Sequence, residues 1–273
     1  MNAQDLVTFD VKGGDLSALY TIVESSPRLA ELKLNRETTA EHNGKDWPVP
    51  APGVKIENAD FGVAYGTDVK IRIYLDTMQT SVFDSDQNKY ANMSQHFKSF
   101  DQSALDWQGG DKCGWIPSKE REKLRASDPI VFDSLSKVKL GRNLFGTVTI
   151  SDAVLPDGKP VDVTDLPVRM RLGPSNFYEI SQVMGKMVRQ QCMPIHYDIK
   201  LSYVIEKRGS NRFIVLKYEP DLVKMHPLTA EGEDNLQNFL DLIKIENEKV
   251  VEKMRENMVT TMHDDFEDIT EVA

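Results

Sequence analysis

Cysteine is scarce in this chain: Cys113 and Cys192 stand far apart, with no CxxC pair. A disulfide-stapled secreted scaffold is thereby excluded, and the usage fits a reducing compartment. Long apolar runs are missing too. No stretch approaches the roughly 20 apolar residues of a helical membrane span, and the amino terminus, MNAQDLVTFDVKGGD, has no basic patch followed by an apolar segment. The expectation is a soluble cytoplasmic protein without a membrane partner. Catalytic signatures are equally thin. There is no Gly-rich phosphate loop, no HExxH, no GxSxG and no four-ligand Cys/His cluster, and His42, His96, His196, His226 and His263 are dispersed. Cys113 with His96 falls short of a metal-ligand set. No enzymatic activity, cofactor or metal is expected.

What is present begins with an uneven charge. A net charge of −10 speaks against a nucleic-acid partner until it is divided along the 273 residues. Residues 1–111 hold 10 Lys and Arg against 17 Asp and Glu, residues 112–226 hold 19 against 13, and residues 227–273 hold 4 against 13, so the three segments carry −7, +6 and −9. The middle is basic and the end strongly acidic. Uneven surface charge alone accounts for such a division as readily as a binding function does.

The most legible stretch is Leu166 to Pro220. Val168, Met170 and Leu172 alternate with Arg169 and Arg171, the period of two of a strand with one buried face. Gly173-Pro174 breaks it, Ser175 is a good N-cap, and Ile180, Val183, Met184, Met187 and Val188 recur at helical spacing, predicting an amphipathic helix over 175–190. After Pro194 a hairpin is expected over 195–218, turning at Gly209-Ser210-Asn211. Upstream, Val69, Ile71, Ile73 and Leu75 share one face of a strand whose other face carries Lys70, Arg72 and Tyr74. Further strand pattern lies within 81–95, and 138–150 reads as a long strand kinked at Gly141 and Gly146. Residues 1–40 suggest a short helix after Gly13-Gly14, and residues 41–68, rich in Gly, Pro, Asn and Asp, read as loop or irregular hairpin on the surface. Thr229 can cap a helix to about Met262 with Leu236, Leu240, Ile243, Val250, Met254 and Met258 on one stripe.

A helix ahead of a closing hairpin gives the strand order of an OB-fold, a five-stranded Greek-key barrel that binds oligonucleotides on its strand two and three face. The fold class is therefore mainly β with α: an OB-like barrel with long insertions, a C-terminal helix and an acidic tail. The chain divides into an extension packed on the core over 1–60, an OB-like nucleic-acid-binding domain over 61–226, a helix over 227–262 and a disordered acidic tail over 263–273. Aromatics off core periodicity, set among cations, suit stacked bases and a phosphate track. Lys70, Arg72, Lys139, Arg142, Arg169 and Arg171 are the candidates for phosphates, and Tyr74, Tyr90, Phe97, Trp107 and Trp115 for bases. Phe97, Phe100, Trp107 and Trp115 have a packing role as their alternative, as plugs of a loop-rich region onto the barrel.

The 166–220 stretch, preceded by GDKCGWIP and KVKLGRNLFGTVT and followed by a polar helix, resembles the single-stranded DNA-binding proteins encoded by tailed phages. The resemblance implies an OB-type barrel, a basic and aromatic groove, and an acidic tail that mimics DNA and recruits replication or recombination proteins. In this chain that tail is DDFEDITEVA, so Asp264, Asp265, Phe266, Glu267 and Asp268 are the partner-binding candidates; it ends in Val272-Ala273, without a terminal aromatic. The implied function is sequence-tolerant single-stranded DNA binding in phage replication or recombination, in the host cytoplasm, and a homo-oligomer is compatible with it. The alternative is a phage virion or assembly protein making protein contacts only.

Overall fold

A computed structural model describes residues 29–208 and 211–270. Its strands are β1 (Ala30–Asn35), β2 (Thr39–His42), β3 (Lys45–Pro48), β4 (Gly53–Asn58), β5 (Gly62–Gly66), β6 (Val69–Asp84), β7 (Lys89–Met93), β8 (Val138–Ile150), β9 (Leu166–Leu172), β10 (Tyr197–Arg208) and β11 (Asn211–Met225). The helices are α1 (Ser118–Ser127), α2 (Pro129–Ser136), α3 (Phe177–Arg189) and α4 (Ala230–Thr270). All strands but β2 and β3 join one sheet in the order β11-β10-β6-β8-β9-β1-β4-β5, with β7 paired to β6. The sheet curls strongly into a half-barrel, so the chain is mainly β with helices and barrel-like in form.

Two strands of this sheet, β1 and β4, come from the region ahead of residue 61 that the sequence reads as an extension. β1 pairs parallel to β9 and antiparallel to β4, inserting Leu32 between Met170 and Ile56. The helix expected after Gly13-Gly14 lies outside the described residues. Among these residues no helix is long and apolar enough to cross a membrane.

The spine is β6 with β8. Strand pattern at 69–75 and at 81–83 belongs to one strand, which bends between Ile73 and Leu75, where its register against β8 shifts by a bulge. An extra residue in one strand swaps faces beyond it. Val69, Ile71 and Ile73 therefore enter the main core, whereas Leu75, expected beside them, lines the opposite side with Thr77, His96 and Leu240. The kink read into Gly141 and Gly146 resides on the partner strand, and β8 runs unbroken between those glycines. Gly146 instead lets the two strands approach closely, since a Cβ there would lie 1.9 Å from the Arg72 carbonyl oxygen.

The main core fills one face of the curl, with Leu32, Ile56, Ile71, Leu144, Val148, Val168 and Ile199 all but sealed from water. α3 closes it with Ile180 and Met187. Fully burying such side chains contributes roughly 1.5–3 kcal/mol each. Its N-cap position is Asn176, one residue after the expected Ser175, and the Asn176 Oδ1 accepts the Leu216 amide at 3.1 Å rather than a helix donor. The helix is thereby tied to β11. The hairpin forms as expected, with Arg208 opposite Asn211; Gly209 and Ser210 lie outside the described residues.

α4 crosses the other face of the sheet. Thr229 caps it as expected, its Oγ1 accepting the Gly232 amide at 3.2 Å. Of the expected stripe, Val250 is buried and Leu236, Ile243 and Met254 are half-buried, whereas Leu240 and Met258 are exposed; Phe239, outside the stripe, is buried. Phe239 sits 6.0 Å from the Phe145 ring and edge-on to Tyr74 at 5.8 Å. The helix also continues past Met262 to Thr270, so most of the segment expected as a disordered tail continues α4. Residues 271–273 lie outside the described residues.

Candidate nucleic-acid interface

Residues Asn143 and Phe145 of β8 alternate with the core residue Leu144, so they face α4. Arg169 and Arg171 of β9 do likewise, alternating with Met170. Both arginines therefore lie on the same side of the sheet. Between this face and α4 lies a cleft of about 790 Å³, lined from the sheet side by Gln79, Tyr90, Trp107, Asn143, Arg169 and Arg171 and from the helix by Glu246, Lys249, Val250 and Lys253.

One side of the cleft is an ion-pair network. Arg169 donates to Glu31 at 2.8 Å and to Glu246 at 2.7 Å. The second Glu246 oxygen shares a 2.7 Å hydrogen bond with the buried His96 ring, whose other nitrogen meets the Thr77 hydroxyl at 2.9 Å. Burial pushes the Glu246 carboxyl up, but the His96 hydrogen bond and the Arg169 guanidinium together outweigh it and hold the group below its ordinary value. Burial likewise works against charge on Arg169, and the two carboxylates reverse it, raising the guanidinium further. Arg169 is thus neutralised inside the protein.

Elsewhere along the cleft the cations are less committed to carboxylates. Arg171 lies over the Tyr90 ring at 5.6 Å and donates to the Ser81 hydroxyl at 3.1 Å. Tyr90 is 39% exposed and braced edge-on by Phe83 at 5.4 Å. Gly141 makes room for Arg171, since a Cβ there would fall 2.8 Å from its Nε. Lys249 and Lys253, one turn apart on α4, are exposed at the rim, Lys253 contacting Glu256 at 2.9 Å. The Trp107 loop is fixed rather than loose. Its amide donates to Asn92 at 3.0 Å, its carbonyl accepts from Asn257 at 2.8 Å, and the buried Asp106 carboxylate accepts the Gln108, Gly110 and Cys113 amides.

The other candidate residues are elsewhere. Arg142 is on the core-side face, where it forks onto Asp76 and meets the Ser181 hydroxyl at 2.6 Å. Arg72 pairs with Asp165 and Asp198, and Lys70, exposed on the same strand, stands opposite Thr149 and Lys200. Tyr74 is under α4, and Phe97 is 1% exposed beneath Phe100. Trp115 stacks on Phe100 at 4.8 Å and 17°, which places its packing in the loop region. The Lys139 ammonium donates to the Ser136 carbonyl at 2.9 Å. For Asp264, Asp265, Phe266, Glu267 and Asp268 the backbone is helical; their side chains lie outside what is described. Sequence reasoning missed Asn143, Gln79, Glu246, Lys249 and Lys253. Lys249 and Lys253, four apart on a helical pattern, left a signal; Asn143 inside a strand left none.

Burial, above all, pushes the Cys113 thiol up to about 12, with the Asp106 carboxylate adding to the shift, so the thiol stays protonated at neutral pH. Among the described residues no cluster of three or more His, Cys, Asp or Glu is arranged to hold a metal ion. No protein-family model, curated protein or solved structure matches the chain.

Proposed function

We propose that this protein binds single-stranded DNA with little sequence preference, through the cleft between α4 and the sheet, as part of a phage replication or recombination system. The observation that carries the reading is the meeting of Tyr90 and Trp107 with Arg171, Lys249 and Lys253 in one open cleft. Aromatic faces accept bases of any identity, and cations along the same groove accept the backbone. An OB-type barrel is the fold proposed for the curled sheet, with the acidic end of α4 as the site for replication or recombination partners. The protein acts as a binder and not as an enzyme.

Titration of a labelled oligothymidylate at two salt concentrations tests this. Binding should weaken as salt rises, with a log–log slope of about −0.7 for each phosphate engaged. No binding at low salt, or affinity indifferent to salt, rejects the proposal. The competing reading, an assembly protein making protein contacts only, draws on the exposed Ile205, Val223 and Met225 of the β10–β11 hairpin. It requires oligomerisation and no quenching of Trp107 fluorescence by DNA.

A further inference from the structure

Phe83 is 46% exposed, and its one ring neighbour among the described residues is Tyr90, packed edge-on at 5.4 Å. The register of the β6–β7 ribbon sets these two directly opposite each other, and Phe83 shares its face of β6 with Ser81, two residues back. Arg171 starts on β9 and reaches this corner across Gly141, where a Cβ would fall 2.8 Å from its Nε. Its guanidinium then donates to the Ser81 hydroxyl at 3.1 Å and to the Tyr90 hydroxyl at 3.3 Å. Lys139 of β8 is exposed and stands directly opposite Ser81, with its ammonium on the neutral Ser136 carbonyl at 2.9 Å. Four strands thus bring to one corner of the sheet an uncovered aromatic ring and two cations whose hydrogen bonds go to uncharged oxygens. A single exposed apolar side chain is ordinary. This one adjoins the cleft, because Tyr90 and Arg171 are also part of the cleft lining.

We infer that the bound strand leaves the cleft past Tyr90 and lays its next base on Phe83, with phosphates held by Arg171 and Lys139. This rests on the single-stranded DNA reading and extends its footprint beyond the cleft. Tyr90 already carries Arg171 over its ring at 5.6 Å, whereas Phe83 is the more exposed of the pair, so the free stacking surface passes to Phe83. Stacking uses the π-face that every base has, which keeps the position tolerant of sequence. The occupant follows from the mixture of groups. An apolar protein surface would match Phe83 and leave Arg171 and Lys139 without a counter-charge, while a single strand alternates a flat base with a phosphate and meets all three.

The test is titration of a labelled oligothymidylate over a salt series with the wild-type protein, Phe83→Ala, Phe83→Tyr and Lys139→Gln. Phe83→Ala should weaken binding by about fivefold or more and leave the salt slope unchanged, as the loss of one uncharged stack does, and Phe83→Tyr should stay within about twofold of wild type. Lys139→Gln should instead reduce the magnitude of the log–log salt slope by about 0.7, the share of one phosphate. Phe83→Trp reports on the position directly, since its added emission should be quenched by saturating oligothymidylate beyond the change seen in wild type. Wild-type affinity in Phe83→Ala, or added emission that DNA leaves unquenched, overturns the stacking position, and an unchanged slope in Lys139→Gln overturns the phosphate contact. Loss of self-association in Phe83→Ala with DNA affinity intact marks a protein contact and overturns the inference as well. Absence of binding by the wild-type protein at low salt is a different failure, removing the single-stranded DNA reading and this extension with it.

Discussion

At the scale of single residues, most of the arginines singled out as phosphate contacts are already paired inside the protein. Arg72, Arg142 and Arg169 each face carboxylates, whereas Arg171 meets hydroxyls and a ring instead. Sequence shows a cation but not its counter-ion, because Glu246 is 77 positions from Arg169 in the chain. The Glu246 carboxyl is held below its ordinary value of 4.5, so its contribution to stability is fully present above that value and is lost as pH falls through the lower folded-state value. The melting temperature should accordingly drop as pH is taken below 4.5. Glu246→Gln should lower stability at neutral pH by about 1–3 kcal/mol, the worth of hydrogen bonds to a charged group, and should flatten the acid limb. A variant whose acid limb superimposes on that of the wild type would show that Glu246 does not carry it.

Elements reveal where alternation works and where it stops. The periods of β9, α3 and the hairpin were readable because each presents one apolar face to a single core. In β6 the reading holds to Ile73 and then fails, since one bulged residue reverses every face after it and leaves no mark in composition. α4 is read in part. Val250 of the expected stripe is buried, but the packed face also takes in Phe239 and the polar Glu246 and Asn247, which bond to His96, so apolar periodicity alone drifts to the exposed Leu240 and Met258. The β6–β8 pairing itself is intolerant at Gly146, where an added methyl carbon meets backbone. Gly146→Ala should cost about 1–3 kcal/mol, measured as a lower denaturation midpoint; a stability loss within about 0.5 kcal/mol, the range of neutral surface changes, would mean the strands can separate there cheaply.

For the molecule as a whole, the decisive arrangement is an acidic helix laid across the one sheet face that also offers exposed aromatics and Arg171. Residues 227–273 carry −9, and the helix brings Lys249 and Lys253 to the cleft while its far end gathers Asp264, Asp265, Glu267 and Asp268. Deleting residues 264–273 removes five carboxylates and takes the net charge from −10 to −5. DNA affinity at low salt should then rise by about threefold or more and converge with wild type toward about 1 M salt, where the screening length falls to roughly 3 Å. Identical affinity at low salt would rule out competition between the acidic end and DNA.

The amino-acid sequence by itself determined the β-rich class, the strand–helix–hairpin unit from Leu166 to Pro220 and the pairing of Arg169 with Arg171 on one face, because local periodicity and turn chemistry are short-range properties. Tertiary structure alone decided which cations are neutralised, which aromatics are buried, and that β1 and β4 join the sheet. Those outcomes depend on residues far apart in the chain meeting across a bulge and a crossing helix, and no local pattern records such meetings.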